Sequence, residues 1–105
     1  MAYVYVAFVE FNKEVGRTDS MQEAARRMVS EAKLLVDRIG AQVAGTCWIE
    51  TFLVHEEWAQ RALEPDYDLR QQQSMGITFF NDVIVNAHEK GWMVKGRWVA
   101  EAAVS

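Results

Sequence analysis

The chain is 105 residues long, half of them hydrophobic, with four Trp, five Phe, three Tyr and a formal net charge of −4. That length fits one domain, residues 1–105, and an apolar content of this kind excludes a disordered chain. The acidic balance excludes the basic stripe on which general nucleic-acid binding rests.

A single cysteine, Cys47, excludes an internal disulfide. No apolar run approaches the ~20 residues of a membrane span. The N-terminal residues 1–5 lack the charged start of a signal peptide, so a cytoplasmic protein without membrane attachment is expected.

Residues 3–11 are dense in Val, Tyr and Phe. Tyr3, Tyr5, Ala7, Val9 and Phe11 fall on one side and Val4, Val6 and Phe8 on the other, which predicts a strand apolar on both faces. Such a strand is covered twice, by its own helices or by a second subunit. A polar stretch, residues 12–19, follows.

Residues 20–39 predict an amphipathic helix. Ser20 and Glu23 have capping-box spacing. Met21, Ala25, Met28, Ala32, Leu35 and Ile39 recur at steps of four and three, and Gly40 stands where a helix-ending glycine belongs.

Residues 42–58 read as strand, either one long strand or a hairpin turning at Glu50-Thr51. Residues 57–64 favour helix, ended by Pro65. Residues 66–74 are polar and aperiodic, a loop or an exposed helical turn. Residues 77–90 leave helix and strand open: Phe79, Phe80, Val83, Ile84 and Ala87 fit a helix closed by Gly91, while Ile77, Thr78 and Val85 are β-branched. Residues 92–104 alternate, with Trp92, Val94, Trp98, Ala100 and Ala102 on one face, and predict a half-buried last strand. The order is β-α-β(β)-α-β, an α+β two-layer sandwich with helices on one face of a largely antiparallel sheet.

Phosphate loops, nucleophile elbows and paired-cysteine metal spacings are missing. Cys47 and His55 could act as nucleophile and base only in the hairpin alternative, since one extended strand separates them by roughly 26 Å. His55 and His88, the two histidines, are the side chains that titrate near neutrality, and a metal site would need both. Trp48, Trp58, Trp92 and Trp98 are core or, if their strands share a sheet, the lining of an aromatic pocket joined by His55, Glu57, His88 and Arg97. Glu50, Glu56, Glu57, Glu64, Asp66 and Asp68 gather in one stretch interrupted by Arg61. That stretch is a solvated face or a docking surface for a basic partner.

The segment Phe52-Leu53-Val54-His55-Glu56-Glu57-Trp58, with Ala59-Gln60-Arg61-Ala62-Leu63 after it, resembles the third strand and following helix of the antibiotic-biosynthesis-monooxygenase group. The resemblance implies a ferredoxin-like βαββαβ subunit that pairs through its sheet as a dimeric α/β barrel. It also implies cofactor-free oxidation of polyketide-like substrates or, in some members, haem degradation, with Glu57 and Trp58 carried over by the motif. The expected protein is thus a homodimer that binds an apolar or aromatic small molecule and needs no cofactor, its catalytic candidates His55 and Glu57. The competing expectation is a regulatory or inhibitory protein of the phage or mobile-element kind, acting by contact.

Overall fold

Alternating Val, Tyr and Phe build strand β1 (Ala2–Val9) in the computed structural model, which describes residues 1–99. The chain reverses through Glu10 and Phe11, both at positive φ (50° and 69°), and runs back as β2 (Lys13–Thr18). The polar stretch after the first strand is therefore itself a strand. Its apolar signal is weak because it is an edge strand held mainly by pairing with β1.

Helix α1 spans Met21–Ile39. The Ser20 hydroxyl accepts from the Glu23 N–H at 3.3 Å, but the return half of the capping box is absent. The Ser20 N–H donates to the Thr18 hydroxyl at 2.8 Å, and the Glu23 carboxylate accepts from Arg27. Gly40 ends the helix at φ 126°, ψ 163°, a conformation open essentially to glycine alone, with its N–H on the Val36 carbonyl. A 3-10 turn, Ala41–Thr46, then leads into β3 (Trp48–Val54).

β3 is one strand, with no hairpin at Glu50-Thr51. It lies beside β1, Val6 opposite Glu50 and Val4 opposite Phe52. The turn Glu56–Trp58, the one-turn helix α2 (Ala59–Ala62) and the turn Leu69–Gln71 follow. β4 (Gln73–Phe79) pairs with the far side of β3 and passes without a loop into helix α3 (Phe80–Glu89). Residues 77–90 are thus strand and helix in succession, not one or the other.

The sheet has order β2-β1-β3-β4 with every neighbour antiparallel. The α+β class and the antiparallel sheet stand. The succession differs from the ferredoxin-like βαββαβ pattern, because β1 and β2 form a hairpin before the first helix. The predicted last strand is a minimal hairpin, β5 (Met93–Val94) with β6 (Arg97–Trp98), turned by Lys95 and Gly96 at positive φ. Within it Met93 is buried and Val94 exposed, the reverse of the predicted face, and the part of that strand from Ala100 onward lies outside the described residues.

Both faces of β1 are covered, but unequally. On the first face Ala7 and Val9 join Ile49 and Cys47 under α1 and α3, against Met28, Val29, Leu35 and Val83. On the second face Val4 and Val6 join Phe52 and Val54 under Ala62 and Leu69, so the 59–71 segment forms a thin third layer. Phe8, at the far end of β1, is only half-covered.

Candidate functional site

The thin layer does not close flush on the sheet. Between them lies an open cleft of about 360 Å³. Its inner lining is apolar: Val6, Phe8 and Phe52 from the sheet below, Tyr67 and Leu69 from the segment above. Its rim is polar: Glu14, Arg17, Asp66, Asp68 and Arg70. This combination of apolar lining and a few converging polar groups is the usual make-up of a small-molecule site, and the volume falls at the lower end of the range for one.

Arg17 holds the roof of the cleft in place. It lies on the second face because Arg17 pairs with Val6 across the β1–β2 ladder, and its side chain is only 8% exposed. Its Nε and Nη2 donate to the Glu14 carboxylate at 2.7 and 3.2 Å. Nη1 donates to the carbonyls of Ala62, Glu64 and Tyr67 at 3.1, 2.9 and 2.8 Å, and Nη2 also reaches the Pro65 carbonyl at 3.2 Å. One guanidinium thus ties a loop with no ladder of its own to the edge of the sheet, using the fork geometry that lysine lacks.

The rim charges are mutually compensated. Arg61 bonds both oxygens of Asp66, at 2.9 and 3.1 Å, and also reaches Glu64. Chiefly through that hydrogen bond, Arg61 holds the Asp66 carboxyl below its ordinary range. Asp68 caps the Leu69–Gln71 turn through the Arg70 N–H, and the Arg70 guanidinium lowers its carboxyl likewise. Glu56 meets the N-terminal ammonium, and Glu50 accepts from the Ser74 hydroxyl. The acidic stretch is therefore largely paired within the chain, not a bare acidic face.

Beyond Phe8 the second face carries an aromatic cluster. Phe8 stacks on Trp48 at 5.1 Å between centroids, and Trp48 meets Phe11 at 6.5 Å and Phe79 at 6.2 Å. The Trp48 indole N–H is buried there without a hydrogen-bond partner among the described residues.

The residues singled out from the sequence do not converge. His55 and Glu57 sit on the exposed turn after β3, His55 Nδ1 accepting from the Glu57 N–H at 3.3 Å and standing 3.6 Å from its carboxylate. Neither lines the cleft. Trp58 is exposed on the same turn. Trp92 and Trp98 pack on the opposite side of the sheet, against the core under α1, with Lys90 over the Trp92 ring at 5.5 Å. The four indoles therefore do not share a surface: β5 and β6 form a separate small sheet.

Arg97 is exposed in that hairpin, and His88 is exposed in the last turn of α3. Cys47 is buried at one end of β3 and His55 exposed just past the other, which removes the nucleophile–base pair. Among the described residues no cluster of His, Cys, Asp and Glu is arranged to hold a metal ion.

The cleft residues escaped the sequence reading for a physical reason. Tyr67 and Leu69 alternate with Asp66, Asp68 and Arg70, a short two-residue period hidden in a stretch that looks aperiodic overall. Glu14 and Arg17 lie on a strand whose apolar pattern is too faint to declare itself.

Compared with known proteins, the chain matches no protein family, no curated protein and no solved structure.

Proposed function

We propose that the chain is a small-molecule binding protein that takes a flat apolar or aromatic ligand into the cleft between the second face of the sheet and the 59–71 layer. The observation that carries this is the cleft itself, about 360 Å³ in volume, with Val6, Phe8 and Phe52 on the sheet side, Leu69 on the side of the overlying layer, and Asp66, Asp68 and Arg70 at its mouth. A ring system would stack on Phe8 and Tyr67, and a hydroxyl or carbonyl on it would meet the rim. The resemblance to cofactor-independent monooxygenases points to the same class of ligand. Turnover is not part of the proposal, because His55 and Glu57 stand outside the lining and the cleft's own carboxylates are engaged with arginines.

The test uses 2-naphthol, a two-ring probe with one hydroxyl, titrated into isotope-labelled protein while amide and methyl resonances are followed. Saturable shifts at Val6, Phe52 and Leu69, weakened at least tenfold by Leu69→Ala, are expected; each tenfold corresponds to about 1.4 kcal/mol of binding. Shifts confined to residues away from the cleft, or none at all at saturating probe, would falsify the proposal.

A further inference from the structure

The two edges of the sheet are built differently. β2 carries Lys13, Glu14 and Arg17, and Arg17 ties it to the 62–67 loop. Charged side chains and a covering loop are the usual means of keeping an edge strand from recruiting another. β4 has neither. Its sequence, Gln73-Ser74-Met75-Gly76-Ile77-Thr78-Phe79, contains no charge and no proline, and its outer side pairs with nothing among the described residues. Met75, Ile77 and Phe79 are each 48% exposed. The one irregularity, a bulge opposite Thr51 and Phe52, falls at residues 74–76 and leaves 76–79 regular.

We propose that this edge is occupied by β4 of a second copy of the chain, running antiparallel, so that two four-stranded sheets join into one. Charge favours a copy as the occupant. Because the strand is neutral, self-pairing sets no like charges opposite one another. The nearest acid on the same face, Glu50 of β3, would lie three strand spacings from its counterpart, ~14 Å, beyond the ~8 Å screening length at physiological salt.

Symmetry favours it too. A strand paired antiparallel with itself is self-complementary and closes as a twofold dimer, with no open growth. Registers centred on Ile77 or Thr78 keep the faces of the two sheets aligned. They set Ile77 beside its own counterpart or beside Phe79, both favourable cross-strand pairs.

The size of the contact sets its strength. Three half-exposed side chains leave about 100 Å² apiece open, so both copies together can bury no more than roughly 600 Å² of side chain before backbone is counted. That places the dimer among weak, reversible interfaces below about 1,200 Å².

Sedimentation velocity across about 10 µM to 1 mM, the range of a weak complex, gives the first reading, and amide exchange of the wild-type chain at both ends of that range gives the second. A monomer–dimer transition is expected, with the amides of residues 76–79 gaining protection as the dimer forms. Ile77→Lys, at a half-exposed position, shifts the transition to at least about tenfold higher concentration, while Phe11→Ser, on the same face but away from the edge, leaves it in place. A monomer throughout overturns the proposal. So does a dimer split by Phe11→Ser with no change in protection at 76–79, since that is packing through the sheet face. The edge and the cleft are separate surfaces, so naphthol binding can fail while the dimer persists, and the reverse.

Discussion

Arg17 is the single side chain on which the second face depends most. Its guanidinium is nearly buried and meets four backbone carbonyls and one carboxylate. Arg17→Met leaves those acceptors unsatisfied and Glu14 without its cation, and is expected to lower stability by about 3 kcal/mol, read from chemical denaturation. Arg17→Lys restores only part of that loss, because an ammonium cannot span the fork.

Asp66 tests the rim in a different way. Its carboxyl is held low by Arg61, so whatever it adds to stability is present at neutral pH and above the ordinary aspartate range. That contribution is lost as pH falls through the depressed native value. Carboxyl carbon shifts followed through an acid titration should place Asp66 below an unperturbed aspartate, and Arg61→Gln should return it upward. An unmoved titration in that variant would mean the Arg61 bond is not the cause.

At the scale of elements, α1 was legible in its span and in most of its stripe, but not in Ile39, which is exposed, or in the return half of the capping box. Its apolar stripe has the helical period, it is long, and it carries a cap at each end, three signals that agree. Leu35, buried under this helix, should cost about 2–5 kcal/mol as Leu35→Ala in thermal or chemical melts. The exposed Asp37 should change stability by no more than about 0.5 kcal/mol as Asp37→Ala. Equal effects at the two positions would contradict the orientation of α1.

The elements that were misread are those whose local signal is overridden from a distance. β2 has little apolar content and exists because β1 offers it a ladder. The junction of β4 and α3 has no connecting loop, so the two periods merge in sequence with no breaker between Phe79 and Phe80. The 92–98 segment alternates like a long strand, yet Lys95 and Gly96 turn it back after two residues.

For the molecule as a whole, the class of fold was legible and the site was not. Composition and periodicity describe each element against water, whereas a cleft is defined by what two distant segments leave between them. Val6 and Leu69 are 63 positions apart and meet only because the sheet and the 59–71 layer close on each other. The tryptophans misled for the same reason: their rarity marks them in the sequence, but Trp48 and Trp98 lie on different sheets, Trp58 on an exposed turn and Trp92 ahead of β5. The paired acids of the rim read as a charged face until their arginines were in place.

The division of the interior into two unequal cores has a consequence for how the chain comes apart. The larger core is organised around a long helix that follows the β1–β2 hairpin directly in sequence, whereas the smaller joins β1 to residues some sixty positions away through one-turn helices. Few apolar side chains hold the smaller core, and no long helix braces it. The layer over the second face is therefore expected to open first from the native state, read as faster amide exchange across residues 59–71 than across α1. Opening of this kind would release the roof of the cleft while the helices and the sheet remain intact, so that the cleft widens without global unfolding.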